Sequence, residues 1–451
     1  MTGLDNHFIQ TVEKRLLEFI ARGESEFPVM LASVPGLYPG TLSECIDDLA
    51  ARHLIGRTLR AKIGRSAART PSETRRRRPH PLELPLPHPL DFEWRFSEAT
   101  ARMLSARATG HASSQRRVAL LGVPSVFRAM VEEGRAKAVD FFDASELVVA
   151  AFRSTYPAAR ALRLDLSLGV ALPGEYGTIA CDPPWYPEDM LSFLRFASDH
   201  SHAGATLLMS LPPWGTRPRV TEEVEGVLSA AEAMGWSLQS YEASAIDYET
   251  PFFEWNSLRL RRLRNVPFHW RKGDLATFEK CGDSGDQPSW LPAADAPTDS
   301  WVEESVGACR LRLRAQRRGT FSDPRLQSIV AGDVLPSVSR REPLRRRADV
   351  WTSGNRVYRC EGPDILGLIV RAVGNNHDPR TAVASTIGRS LSRSEEQQVR
   401  ATRRQVCALA NREEAELGAY RRLYGPRPRI GHPGRTPGPT SARGKTISYS
   451  E

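Results

Sequence analysis

The chain has 451 residues, a formal net charge of +9 and six cysteines. No stretch reaches the ~18 apolar residues of a membrane span, Met1 to Phe8 lacks the apolar core of a signal peptide, and no Cys-x-x-Cys pair suggests a zinc ribbon or dithiol redox site. Scattered cysteines point to a reduced, cytoplasmic compartment. The positive excess is mostly arginine, which suits phosphate contacts and equally a generally arginine-rich chain.

Residues 1–65 read as a small helical unit. Phe8, Ile9, Val12, Leu16, Leu17 and Ile20 recur at helical spacing. A short helix, Phe27 to Ser33, precedes a Pro-Gly turn, and Thr41 with Glu44 suggests a capping box opening a third helix that ends near His53. Leu54 to Arg60 alternates like a strand and wing. Helix, helix, turn, helix, strand resembles a winged helix-turn-helix domain, which implies groove reading through the third helix or docking of a protein partner. Glu44, Asp47 and Asp48 on that helix oppose phosphate, offset by Arg52, Arg57, Arg60 and Lys62.

Residues 66–115 form a linker and lead-in. Arg75 to Arg78 and the prolines from Pro79 to Pro89 favour extended chain. A helix is expected from Ser97 to Ala108, with Ser97 as its cap.

Residues 116–270 alternate strand-like and helix-like runs. The strands are expected at Val118–Val123, Val139–Asp143, Ala161–Leu166, Gly177–Asp182, Ala205–Leu211, Trp236–Ala243 and Leu258–Leu263. Helix-like segments separate the first six, which predicts a Rossmann-like α/β domain with a mostly parallel sheet. The last two strands would close it as an antiparallel hairpin.

The fourth run ends in Asp182-Pro183-Pro184-Trp185-Tyr186. Proline cannot continue a central strand, so these side chains project from the C-terminal edge of the sheet, where open α/β sheets bind ligands. A carboxylate beside a proline carbonyl can hold both hydrogens of a planar amine, and a neighbouring ring can stack on the base. The Asp-Pro-Pro-aromatic run resembles the signature of class I S-adenosylmethionine-dependent amino-methyltransferases. That resemblance implies S-adenosylmethionine as cofactor, an exocyclic amine such as that of adenine in nucleic acid as substrate, and Asp182, Pro183, Pro184 and Trp185 as the catalytic tip. It also implies a cofactor loop at Gly122, a ribose-binding acid at Asp143 and an acid at Asp165 for the cofactor's adenine.

The residues leave alternatives at each position. The Gly122 loop has one glycine, and Pro124 removes an amide. Asp143 equally suits a helix N-cap before Ser145, and Asp165 a surface turn. Tyr186 stands next to the tip. A second Pro-Pro-aromatic run, Pro212-Pro213-Trp214, ends the fifth strand and would flank the cleft. Tyr248, Glu249 and Phe252 lie in an aromatic and acidic connection expected to recognise substrate. The combination of winged helix and Asp-Pro-Pro also resembles branched-chain polyamine synthases, which implies aminopropyl transfer to a polyamine gripped by Glu188, Asp189, Glu249 and Glu254. A third reading is a methyltransferase fold kept as an inactive binding module.

Residues 271–345 are poor in aliphatic pattern and read as an irregular extension. Residues 346–424 regain order: short strands at Val350-Trp351 and Arg356–Cys360, an amphipathic helix from Pro363 to Gly374, and a long charged helix from Glu395 to Tyr424. This region is a second candidate for protein contacts. Residues 425–451, rich in Gly and Pro, read as a disordered tail.

Overall fold

The computed structural model describes residues 3–70, 84–110, 117–166, 175–282, 301–315, 320–340 and 342–424. The Arg75–Arg78 run and the tail after 424 lie outside the described residues.

Four helices come first: α1 (Gly3–Ala21), α2 (Phe27–Ala32), α3 (Pro39–Ala51) and α4 (Arg57–Ala68). The expected wing is absent. Leu54 to Arg60 enters a helix instead, because Ile63, Ser66 and Ala67 continue an inward face at helical spacing. Nor does Thr41 cap α3; Tyr38 precedes it with Pro39 in the first turn. The acids of α3 are paired: Asp47 with Arg60, Asp48 with Arg52, and Glu44 with Arg261.

A lead-in strand, β1 (Arg95–Phe96), precedes α5 (Glu98–Gly110). The Ser97 hydroxyl accepts from Thr100 N at 3.2 Å, the cap expected there. The α/β unit follows as β2 (Val118–Leu121), α6 (Pro124–Glu132), β3 (Val139–Asp143), α7 (Glu146–Thr155), β4 (Arg160–Arg163), β5 (Tyr176–Cys181), α8 (Pro187–Asp199), β6 (Ser201–Leu211), α9 (Val220–Ala233), β7 (Trp236–Glu249), α10 (Phe252–Leu260) and β8 (Lys272–Lys280). The sheet order is β1-β7-β8-β6-β5-β2-β3-β4. Strands β4, β3, β2, β5 and β6 run parallel, while β8 is antiparallel to both β6 and β7. This is a mixed, mostly parallel α/β sheet of Rossmann-like form, with eight strands rather than seven because β1 adds an edge.

The expected closing strand at Leu258–Leu263 is the end of α10. Its leucines alternate with arginines like a strand, yet Leu258 and Leu263 are buried and Leu260 is exposed. The true strand, β8, falls where irregular chain was expected. It lies between β6 and β7, and its polar residues are satisfied inside: Asp274 accepts from the Tyr241 hydroxyl and Ser244 N, both at 2.7 Å. Lys280 Nζ donates to the Met234 carbonyl at 2.7 Å and lies 5.2 Å from the Trp236 ring. Such a strand carries no clean alternation to read.

A second, antiparallel sheet is built from β9 (Trp301–Val306), β10 (Cys309–Arg314), β11 (Gln327–Ser328), β12 (Val350–Thr352) and β13 (Val357–Arg359), in the order β11-β13-β12-β10-β9. It packs on α11 (Pro363–Gly374), α12 (Pro379–Ile387) and α13 (Arg393–Tyr424). Hence part of the expected irregular extension belongs to this sheet. Arg310 and Arg312 of β10 disguise it, being paired inside with Asp91 and Glu303.

One apolar core runs from α1–α4 through Trp94 and Phe96 onto one face of the first sheet; another covers its opposite face. Two glycines allow the helical unit to dock. A Cβ on Gly215 would meet the Pro35 carbonyl and stand 2.8 Å from Val34 Cγ1. One on Gly36, at φ +82°, would meet Pro213 and Thr216.

Candidate active site

Strand β5 is buried throughout and stops where Pro183 removes the next donor. Asp182 N still donates to the Leu121 carbonyl at 3.2 Å, which seats the tip against the end of β2. Gly122, at φ +65°, turns directly beside it; a Cβ there would lie 3.6 Å from the Asp182 carbonyl.

The Asp182 side chain is oriented by two hydroxyls. Ser210 Oγ and the Tyr248 hydroxyl both donate to Oδ1, the latter at 2.6 Å. Among the described residues, Oδ2 and the Pro183 carbonyl accept no hydrogen bond. Burial pushes the carboxyl up to about 6, while Ser210, Tyr248 and the Arg271 charge oppose that rise.

Trp185 is 5% exposed and forms a wall. Its edge meets Tyr248 at 5.5 Å between ring centroids, and the Arg271 guanidinium covers it at 4.1 Å. Gly273 makes this possible, since a Cβ there would stand 3.0 Å from Tyr248 Cε2 and 3.1 Å from Trp185 Cζ2. The open stacking face expected of Trp185 is therefore occupied by an arginine. Tyr186 is engaged as well: its hydroxyl accepts from Arg340 N at 3.0 Å, with Arg340 and Arg217 at 4.5 and 5.4 Å from its ring. Trp214 is different. It is 38% exposed, in a single turn (Trp214–Thr216) just past β6, and makes no ring contact among the described residues.

On the expected cofactor side, the Gly122 amide donates to the Phe142 carbonyl at 2.9 Å, so it serves the sheet. Asp143 ends β3, and its Oδ1 accepts from Ser145 N at 2.8 Å. Burial, then the nearby Glu93 charge, pushes it up to about 7. The N-cap of α7 is Ser145, whose hydroxyl accepts from Val148 N. Asp165 lies two residues beyond β4, half-buried.

Tyr248 and Glu249 are not in a loop. The bulged β7 carries them to its far end, which is how Tyr248 reaches Asp182. Phe252 is buried against Trp255 and Tyr420 and serves packing. Glu188 and Asp189 both pair with Arg340, at 3.0 and 2.7 Å. Glu254 is 1% exposed, and burial pushes it up to about 7. Sequence reasoning missed Ser210, the lone hydroxyl near the end of an apolar strand, and Arg271, which precedes a strand, β8, with no readable alternation. Among the described residues no cluster of three His, Cys, Asp or Glu could hold a metal ion, and no helix is long and apolar enough to cross a membrane.

No protein-family model and no curated protein matches the chain. Among solved structures, it is similar to a branched-chain polyamine synthase from Thermus thermophilus in complex with N4-aminopropylspermidine and 5'-methylthioadenosine, at 14% identity over 63% of this chain and 92% of that one, TM-score 0.42. A TehB-like SAM-dependent methyltransferase from Corynebacterium glutamicum matches at 15% identity over 40% and 86%, TM-score 0.27. The magnesium protoporphyrin IX methyltransferase of Synechocystis, with bound SAM, matches at 13% over 41% and 79%, TM-score 0.28.

Proposed function

We propose that this chain is an S-adenosylmethionine-dependent methyltransferase acting on an exocyclic amine, with adenine in nucleic acid as the favoured substrate. The observation that carries it is Asp182: Oδ1 takes the Ser210 and Tyr248 hydroxyls, while Oδ2 and the carbonyl of Pro183, just past the C-terminal end of β5, accept no hydrogen bond among the described residues. Two unfilled acceptors on successive residues match in number the two hydrogens of an NH2 group.

The residues present fit the donor at one end better than at the other. Asp143 keeps one carboxylate oxygen for a ribose hydroxyl, the other being held by Ser145 N. Asp165 remains the candidate for its adenine. At the methionine end the Gly122 amide is committed and Pro124 has none. When bound, the donor supplies a methyl carbon already activated by its sulfonium. The protein's task is then orientation. Asp182 Oδ2 and the Pro183 carbonyl would hold the amine with its lone pair turned toward that methyl, and Asp182 or water would take the proton that nitrogen sheds. Trp185 shapes the wall, and Trp214 offers the open ring for a base.

The aminopropyl alternative asks for free carboxylates to clamp a polycation. Glu188 and Asp189 already hold Arg340, and Glu249 and Glu254 are buried. Transfer of a labelled methyl group to oligonucleotides and to polyamines, with wild type and Asp182→Asn, separates the readings. Label on adenine N6, lost in the variant, is the expected result. Transfer unaffected by Asp182→Asn, or no transfer to any amine, defeats the proposal.

A further inference from the structure

Helix α4 contains no acid. Its Ile63, Ser66 and Ala67 are buried, while Lys62, Arg65 and the C-cap Arg69 are exposed. The spacing i, i+3, i+7 puts these three cations on one face. None of their side chains makes a hydrogen bond or ion pair among the described residues. The charges around them are settled. Asp47 holds Arg60, Asp48 holds Arg52, and Glu26 accepts from the Ser66 hydroxyl at 2.7 Å.

A second element adds to the same end of the helix. After α10 the chain turns at Arg262, φ +62°. Arg264 N and Asn265 N then donate to the Ala67 carbonyl at 2.9 and 2.8 Å, and Asn265 Nδ2 donates to the Ser66 carbonyl at 3.0 Å. These bonds satisfy carbonyls left open at the end of α4, and they seat the turn beside Arg65 and Arg69. Arg262 and Arg264 are exposed, and their side chains too have no ion pair among the described residues.

Like charges three and four residues apart on a helix repel. Lys62 to Arg69 covers about 10 Å of helix axis, a row of charge rather than a point. A polyanion neutralises such a row and releases its counter-ions, which is what drives binding to a phosphate backbone. A lipid surface would ask for apolar side chains beside the charges; Ile63 and Ala67 of α4 are instead buried.

We infer that Lys62, Arg65 and Arg69, with Arg262 and Arg264, form a contact surface for the phosphate backbone of a nucleic-acid strand. That this strand is the substrate rests on the proposed function. The α10–β8 connection that supplies Arg262 and Arg264 runs on to Arg271, 4.1 Å from the Trp185 ring. Contacts to phosphate position a strand without reading its sequence, so this surface holds the strand and the tip selects the amine.

The test is fluorescence anisotropy of the full chain with a labelled, mixed-sequence single-stranded DNA oligonucleotide over a range of salt concentrations. Expected is binding that weakens steeply with salt. The triple variant Lys62→Gln, Arg65→Gln, Arg69→Gln should bind at least tenfold more weakly at low salt. Its slope of log affinity against log salt should be shallower by about two, as for three lost single-strand contacts. The control Arg393→Gln, Arg403→Gln, Arg404→Gln removes the same charge from exposed positions on α13 and should cost less than threefold. Melting curves report whether each variant folds. If the α4 variant does not, Arg262→Gln with Arg264→Gln decides, with a threefold or larger loss and a slope shallower by about one. No binding by wild type, equal losses in the patch and α13 variants, or binding to phosphatidylserine vesicles with none to the oligonucleotide overturns the inference. None of this needs a methyl donor. Absence of methyl transfer would defeat the proposed function and leave the binding result standing. Transfer to the oligonucleotide with unchanged KM in a folded α4 variant would defeat the surface alone.

Discussion

The Tyr248 hydroxyl donates to Asp182 Oδ1 at 2.6 Å across a separation of 66 residues. It fixes the carboxylate and favours its charged form against a burial that pushes Asp182 up to about 6. Tyr248→Phe keeps the ring contacts with Phe96 and Trp185 and removes only this donor. The acid limb of the pH–rate profile, expected near 6, should move to higher pH by roughly one unit. Transfer at pH 6.5 should drop several-fold and recover by pH 8. An unmoved limb would exclude Asp182 as the group that must be ionised.

Asp182, Asp143 and Glu254 are all raised by burial, to about 6, 7 and 7. The folded chain therefore holds protons that the unfolded chain has released. Their stabilising contribution is complete below pH ~4, where both states are protonated, and is lost as pH rises through 6 to 7. Tm should accordingly fall between pH 5 and pH 8 through these groups. Glu254→Gln should flatten that slope and gain up to about 2–3 kcal/mol at pH 8, read from urea unfolding.

Gly215→Ala places a methyl against the Pro35 carbonyl and Val34. Because backbone cannot yield easily, a loss of roughly 1–3 kcal/mol is expected. Gly226→Ala, on α9 with nothing within 4 Å of the new Cβ, is the control and should gain about 0.5–1 kcal/mol. Equal behaviour of the two would contradict the close docking of the helical unit.

Trp214→Ala should leave the melting curve within about 0.5 kcal/mol of wild type, as the residue is 38% exposed. Substrate affinity should fall by about 1–3 kcal/mol, the usual worth of one base-stacking ring. Anisotropy with a labelled oligonucleotide measures it.

Glu413 and Arg356 are buried together, 3.7 Å apart, and the carboxylate also takes the Thr352 hydroxyl. Glu413→Ala leaves Arg356 with only the half-exposed Glu416 and should cost about 3–5 kcal/mol. Chemical denaturation with hydrogen exchange along α13 would report it.

Much of this was legible in the chain. Strand–helix alternation from Val118 to Leu211 and the stop at Pro183 placed the tip, because apolar runs and proline act locally. The helix Pro363–Gly374 was equally plain. What failed was not encoded in local pattern. Leu54 to Arg60 and Leu258 to Leu263 mimic the period of a strand over too few residues to separate it from a helix. Strands β8 and β10 hide polar residues whose partners, such as Tyr241 for Asp274 and Asp91 for Arg312, lie far along the sequence. Ser210 and Tyr248 converge on Asp182 only once β7 has bulged and β8 has paired, and no local pattern encodes that.

The Tyr186 hydroxyl accepts a hydrogen bond from Arg340 N, 154 residues later, and the Pro336 carbonyl accepts one from the Tyr38 hydroxyl, 298 residues earlier. During synthesis, which runs from the N-terminus at about 5–20 residues per second, the Asp-Pro-Pro tip leaves the ribosome well before the segment that fastens it. A nascent chain halted before Arg340 would carry the sheet and lack the clasp over Tyr186. The contact that holds Tyr186 thus cannot form until synthesis has passed Arg340.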